Sequence, residues 1–178
     1  MNNILITGAT GFVGSHMSDY IIKNTNDKIY ATKRWMESID NIKHLINNPR
    51  FEFIDCDLLD GMGVQRAVDI SKPDKVFHFA AQSFPEVSFK IPVITLQTNV
   101  VGTTNLFESI KNSNYNPKIV SVSSSEVYGE PVELPQHEET TPLNSRVPYA
   151  VVKNVGESYF RSFYKSFSLP FTIFRFFN

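Results

Sequence analysis

Short apolar runs alternate along the chain with longer segments whose apolar residues recur every three to four positions. The runs, rich in Leu and β-branched residues and bounded by turn signals, predict strands over Asn3–Thr7, Lys28–Thr32, Phe51–Asp55, Lys75–Phe79, Lys118–Val122 and Phe171–Phe176. Helical spacing at Phe12, Val13, Met17, Ile21 and Ile22 predicts a helix over Phe12–Lys23. Further helices are predicted over Ser38–Ile46, with Ser38 as its cap, and over Gly61–Ile70, closed by Ser71-Lys72-Pro73-Asp74. Val93, Leu96, Val100, Leu106 and Ile110 place a long helix over Pro92–Lys111, and a last one covers Tyr149–Ser166. Between these two, Glu130–Arg146 carries Pro131, Pro135 and Pro142 and reads as a surface loop.

Strands that alternate with helices of these lengths form a βαβ series, and hence a mostly parallel sheet with helices on both faces. Right-handed crossovers then make the expected fold class a Rossmann-type, doubly wound α/β arrangement. At 178 residues and 42% hydrophobic, the chain is long enough for one substantial core and too short for two full domains, so a single domain over 1–178 is expected.

Charge and cysteine usage narrow the partners. Seventeen Lys and Arg against 18 Asp and Glu leave no excess positive charge for nucleic acid or an anionic membrane, so a small molecule is the expected ligand. The first basic residue is Lys23 and no apolar run approaches membrane-spanning length, which predicts a cytoplasmic protein with no membrane partner. Cys56 has no partner for an intrachain disulfide and reads as a small buried hydrophobe after the third strand. His16, His44, His78 and His137 lack metal-ligand spacing and read as structural or surface residues, so no metal is expected.

Candidate chemistry begins at Thr7–Gly14, T-G-A-T-G-F-V-G, which sets Gly8, Gly11 and Gly14 between the first strand and its helix. Such a turn lets the backbone approach a pyrophosphate and aims helix N-terminal amides at it. Taken alone, a glycine-rich loop is also ordinary turn chemistry; the strand-turn-helix context at the head of a βαβ series favours the phosphate site. At the end of the second strand, Ala31-Thr32-Lys33-Arg34 offers no carboxylate for a ribose 2′-hydroxyl. Arg34, helped by Lys33, is instead suited to a 2′-phosphate, which favours NADP with NAD as the alternative; the other reading is two solvated basic residues. Tyr149 and Lys153 are four apart on a predicted helix and project from one face, a spacing shared with many surface pairs. If they act together, the ammonium lowers the phenol pKa and makes Tyr149 usable as a base.

Taken in order, these segments resemble the extended, nucleotide-sugar-modifying branch of the short-chain dehydrogenase/reductase superfamily. T-G-x-x-G-x-x-G matches Gly8, Gly11 and Gly14, so the resemblance implies that they bind the cofactor pyrophosphate, with Phe12 and Val13 supplying amides. Asp57-Leu58 matches the pair that contacts adenine, and Y-x-x-x-K matches the catalytic Tyr149 and Lys153, with Lys153 also on the nicotinamide ribose. Ser124 matches the hydroxyl residue beside the substrate, and Glu126 matches the carboxylate with which dehydratases remove a C5 proton. Ser125 stands where dehydratases of thymidine-linked glucose carry Asp, so Ser124-Ser125-Glu126 is closer to the Thr-Ser-Glu of GDP-mannose 4,6-dehydratases. Ala80-Ala81-Gln82-Ser83, Glu139-Thr140-Thr141-Pro142, Arg146-Val147-Pro148-Tyr149, Asn99-Val100-Val101-Gly102-Thr103 and Phe176-Phe177-Asn178 are similar to further segments of that branch.

The resemblance therefore implies a 4,6-dehydratase with a GDP-mannose-like substrate and NADP as a recycled hydride carrier. Ala80, Ala81 and Gln82 would lie on the cofactor, and Ser83, Ser124, Ser125 and Asn178 on the substrate. A nucleotide-sugar 4-epimerase or 4-reductase on the same scaffold is the first alternative, and a non-catalytic NADP-binding module the second. In that branch the helices matching Pro92–Lys111 and Tyr149–Ser166 pair between subunits, so the resemblance also implies a homodimer or higher homo-oligomer. Because members of the branch continue beyond the sixth strand, the expectation is a cofactor-binding part without the family's C-terminal substrate-binding region.

Overall fold

In the computed structural model, residues 1–177 are described; Asn178, assigned above to the substrate, lies outside the described residues. The six strands are β1 (Asn3–Thr7), β2 (Lys28–Lys33), β3 (Phe51–Asp55), β4 (Lys75–His78), β5 (Lys118–Ser124) and β6 (Phe171–Phe176). They form one all-parallel sheet in the order β3-β2-β1-β4-β5-β6. Strand order reverses between β1 and β4, and this switch point opens the crevice in which doubly wound sheets take their ligands.

Alternate residues of β1 enter opposite cores, as a strand's period of two requires. Ile4 and Ile6 join Ile29, Ala31 and Ile42 on one face, beside Ile21 of α1 (Phe12–Asn24). Leu5 joins Val76 and Ile119 on the other, under α2 (Gly61–Ser71), α5 (Gly102–Lys111) and α6 (Pro148–Phe167). There Phe107 of α5 meets Phe160 of α6 edge-on, with ring centroids 4.3 Å apart.

Three elements differ from the sequence expectation. Ser38–Ile46 is not a helix; only Lys43–Leu45 makes a 3₁₀ turn, and Ser38 bonds to Asp40 instead of capping. Ile39, Ile42 and Leu45 recur every three residues, and the bonds Ile42 N–H to Ile39, Leu45 N–H to Ile42 and Asn48 N–H to Leu45 follow that period rather than 3.6. A short α3 (Pro85–Lys90) lies in a segment where no helix was expected. The predicted long helix is a rod of α4 (Pro92–Leu96), a π turn (Gln97–Val101) and α5. The π turn is marked by the Gly102 N–H, which bonds back to the Gln97 carbonyl, and just beyond it the hydroxyls of Thr103 and Thr104 donate to the carbonyls of Asn99 and Val100.

Candidate functional site

The loop after β1 is shaped by contacts that only glycine permits at two of its three glycine positions. Gly8 has φ +69°, and a Cβ there would stand 2.7 Å from the Ala80 nitrogen at the end of β4. A Cβ on Gly14 would stand 2.2 Å from the Gly8 carbonyl oxygen. Gly11 has no such internal reason, since its φ is −75° and a Cβ would make ordinary contact. Its missing side chain keeps clear the approach to the start of α1, where the first helical bond runs from Ser15 N–H to Gly11 and no side chain caps the preceding amides. The residues present thus fit a pyrophosphate: a cradle without side chains, facing the unpartnered amide end of a 13-residue helix whose first turn holds no acidic residue.

The ends of β2 and β3 bound an open cleft of about 510 Å³ lined by Arg34, Trp35, Glu37, Asp55, Asp57 and Asp60, among others. Its charges are not those expected of a phosphate site. The Glu37 carboxylate accepts from the Arg34 backbone N–H at 2.9 Å and faces its guanidinium at 3.6 Å, while Lys33 is bonded to Asp55. Asp57 stands at the cleft, but the Leu58 side chain is buried in the core against Gly102, and its carbonyl is taken by Asn105. Burial raises the Cys56 thiol to about 11, which fits its reading as a small core residue.

Beneath the end of β4 runs a buried hydrogen-bonded chain that sequence reasoning did not anticipate. Thr103 donates to the Asn99 carbonyl at 2.8 Å, so its oxygen accepts from His78 Nε2, 2.9 Å away. His78 Nδ1 then accepts from the Thr7 hydroxyl at 2.7 Å, and that oxygen accepts from Ala80 N–H. Burial, with Lys153 adding to it, pushes the imidazole down to about 3, so His78 is a neutral structural element. Asn99, turned inward by the π turn, accepts from Gln82 N–H at 2.8 Å and donates to its carbonyl at 2.9 Å. Ala80, Ala81 and Gln82 are thereby held beside the glycine loop, whereas Ser83 is exposed beyond them.

Tyr149 enters α6 at its first turn, 8% exposed, and its N–H donates to the Ser88 hydroxyl of α3 at 3.1 Å. Ser124, the last residue of β5, accepts from Glu126 N–H at 3.2 Å and starts a 3₁₀ turn over Ser125–Tyr128 that leaves the Glu126 side chain exposed. Ser124 and Glu126 both bear on the phenol. Burial raises the Tyr149 pKa, the nearby Ser124 hydroxyl opposes the rise, and the Glu126 charge adds to it. This reverses the lowered phenol expected from the Tyr–Lys spacing. The reason is the direction of Lys153, whose ammonium donates to the Val122 carbonyl at 2.7 Å and lies 5.8 Å from the Tyr149 ring centroid.

One turn beyond Lys153, Glu157 is 3% exposed and bound by Arg175 of β6 through two bonds of 2.9 and 2.6 Å. Arg175 also donates to the Tyr128 hydroxyl and the Glu138 carbonyl, tying α6, β6, the 3₁₀ turn and the 130–146 loop together. The pair holds the Glu157 carboxyl below its ordinary range despite burial.

A parallel sheet with this switch point, a glycine cradle at the first helix and a Tyr and Lys one turn apart define a Rossmann-type domain of the short-chain dehydrogenase/reductase kind. A sequence model of the family described as GDP-mannose 4,6 dehydratase matches residues 5–178, and the chain belongs to that family of NAD(P)-dependent nucleotide-sugar epimerases and dehydratases. It is 34% identical over 180 residues to UDP-glucuronic acid decarboxylase 6 of Arabidopsis thaliana, covering 98% of this chain and 50% of that protein. The solved UDP-Glc/GlcNAc 4-epimerase of Campylobacter jejuni superposes with a TM-score of 0.90 at 32% identity, over 100% of this chain and 54% of the other. A UDP-glucose 4-epimerase of Thermus thermophilus, solved as a complex with NAD, gives 0.84 at 30% identity over 97% and 54%. The chain spans about half the length of the curated relatives it matches. Among the described residues no cluster of His, Cys, Asp and Glu could hold a metal, and no helix is long and apolar enough to cross a membrane.

Proposed function

We propose that this chain supplies the dinucleotide-binding and proton-transfer groups of a nucleotide-sugar 4,6-dehydratase. The observation that carries this reading is that the turn bearing Ser124 and Glu126 packs against α6, where the Lys153 ammonium lies 5.8 Å from the Tyr149 ring, on the carboxyl edge of the sheet. The bound dinucleotide would supply a hydride acceptor at C4 of the hexose that is restored before product leaves. Gly8, Gly11 and Gly14 with the Phe12 and Val13 amides would hold its pyrophosphate, and Lys153 its nicotinamide ribose. Tyr149, with Ser124 beside it, would take the C4 hydroxyl proton, and the Lys153 ammonium, swung from Val122 towards the phenol, would stabilise the phenolate. With C4 a ketone, the C5 proton is acidic, and the exposed Glu126 carboxylate would remove it and pass that same proton to the C6 hydroxyl, which departs as water.

Ser124-Ser125-Glu126 and the matching family model support a GDP-mannose-like substrate, with Ser83 and Asn178 as further contacts. A 4-epimerase is the second reading, favoured by the named epimerases among the similar structures. For the dinucleotide, Arg34 taken alone favours NADP+. The cleft as built favours NAD+, because Glu37 occupies Arg34 and Asp57 and Asp60 add negative charge where a 2′-phosphate would sit. A homodimer through α4–α5 and α6 is supported by exposed Val93, Val101, Val151, Val155 and Tyr159 on those helices.

The test is turnover of GDP-mannose, dTDP-glucose and UDP-glucose with either dinucleotide, scored for 4-keto-6-deoxy sugar. Tyr149→Phe is expected to abolish product while keeping dinucleotide binding, and Glu126→Ala to abolish dehydration. Full dehydration by Glu126→Ala would overturn the role of Glu126, and clean C4 inversion without loss of water would establish the epimerase.

A further inference from the structure

Behind Lys153 the packing between β5 and α6 is incomplete. Gly156 is buried, yet nothing lies within 4 Å of the place a Cβ would take. The space is the inner end of a partly open pocket between β4, β5, β6, the π turn, α5 and α6, with about 20 Å³ for water, room for a single molecule. Ser123, 3% exposed, turns towards it from β5, and its hydroxyl oxygen is buried without a hydrogen-bond partner among the described residues. Lys153 borders the same cavity with three donors, of which one is used, on the Val122 carbonyl.

Ser121 of β5 borders the same space, and the ionisable and amide groups around it are engaged. Both Glu157 oxygens bind Arg175, both His78 nitrogens are taken by Thr7 and Thr103, and the Thr103 proton is given to Asn99. Ser123 lies near enough to Glu157 to help hold its carboxyl ionised, but not in hydrogen-bonding geometry. An ammonium with unmet donors and a buried hydroxyl with unmet capacity therefore share a space of one water's size at the inner end of the pocket, and a polar space of that kind fills.

We propose that the space left by Gly156 is an internal hydration site, whose water bridges Lys153 Nζ and Ser123 Oγ and solvates the ammonium from behind. Its consequence for turnover rests on the reading of Lys153 given above; the hydration site itself does not. The bridge gives the ammonium a partner it keeps while the Val122 bond is exchanged for the phenol side, so Lys153 can turn without being stripped of solvation. Burial already pushes Lys153 down to about 8, with Glu157 opposing the fall, so the loss of one further partner carries its titration towards neutral pH. The charged or titratable groups around it are Tyr149 and Glu157 on its own helix, His78 from β4 and, behind Glu157, Arg175 from β6; β5 and α5 present neutral groups.

The experiment is a nuclear magnetic resonance titration of the Lys153 side-chain nitrogen in lysine-labelled protein without substrate, comparing the wild type with Gly156→Ala and Ser123→Ala. The alanine methyl at 156 fills the cavity and expels the water, so the Lys153 midpoint is expected to fall by about one pH unit, a tenfold change in protonation. Ser123→Ala removes one partner without filling the space and is expected to shift the midpoint the same way by less. If Gly156→Ala does not fold, the Ser123→Ala shift decides. An unchanged midpoint in the folded variants would mean a dry cavity and would overturn the proposal. Because no substrate is used, failure of the dehydratase reading leaves this result standing, and turnover of Tyr149→Phe is measured separately.

Discussion

Gly14 sits so close under Gly8 that no side chain can stand between them, its absent Cβ falling 2.2 Å from the Gly8 carbonyl oxygen. Gly11, three residues before Gly14 in the same loop, is under no such pressure. The two positions should therefore separate folding from binding. Gly14→Ala is expected to cost about 1–3 kcal/mol of stability by forcing the loop backbone apart. Gly11→Ala is expected to melt within a degree or two of the wild type but to lose at least about tenfold in dinucleotide affinity, because its methyl intrudes on the approach to the α1 amides. Thermal melts and calorimetric titration of both variants check this.

Arg34 and Glu37 make the choice of dinucleotide a question of which partner the guanidinium prefers. Glu37→Gln removes the competing carboxylate and is expected to shift the NADP+/NAD+ affinity ratio about tenfold or more towards NADP+. Arg34→Ala in the wild-type background should change NAD+ binding little. Calorimetry with each dinucleotide measures both, and a wild type that already prefers NADP+ strongly would show that Glu37 yields to the phosphate.

The Glu157–Arg175 pair is buried on both sides, so breaking it strands a charge. Arg175→Met or Glu157→Gln is expected to cost about 3–5 kcal/mol, and the double replacement Glu157→Met with Arg175→Met less than either single change. Urea denaturation midpoints give the comparison. Equal, small losses in all three would show that water reaches the pair.

His78 sets an acid limit on stability. Its imidazole is held neutral, with a folded pKa near 3 against an ordinary value of 6.5, so between those values the unfolded chain binds the extra proton. Its contribution is therefore complete above pH 6.5 and declines as pH falls, at about 1.4 kcal/mol per unit. His78→Gln is expected to be less stable at pH 7 yet to show a slope between pH 6 and 4 that is shallower by one proton. Denaturant midpoints across that range supply the test.

Lys153 acts with the same sign in a more alkaline range. Burial disfavours its ammonium, so from about pH 8 up to its ordinary value the unfolded chain holds the extra proton and stability rises with pH. Lys153→Met is expected to stabilise the fold by about 1–3 kcal/mol at pH 7, with the gain vanishing near pH 10.5.

The strands and the glycine loop were legible because each rests on a local rule: β-branched runs mark strands, and a turn that must pass under its own helix demands glycine. The nearness of Lys153, Ser124 and Glu126 to Tyr149 was legible from their order along the chain. What escaped was set by contacts between distant segments. Ile39, Ile42 and Leu45 look helical, but their spacing of three serves a chain of tight turns pinned by Asn41 to the Thr10 carbonyl. The α3 helix that meets Tyr149 through Ser88, and the burial of Leu58 under Gly102, depend on packing that no local pattern records. The direction of Lys153 was equally hidden, because spacing fixes the face from which a side chain leaves and not the partner it finds.

The π turn at Gln97–Val101 makes the rod behave as two screws cut with different starting points. One surplus residue advances α5 by about 100° relative to α4, so the segment before the turn and the segment after it answer to separate partners. Deleting a single residue there would restore an unbroken thread and rotate either Asn99 away from Gln82 or Thr103 away from His78. The inserted residue is thus a phasing device, and the alignment of the ligand crevice with the core beneath it hangs on its count rather than on its identity.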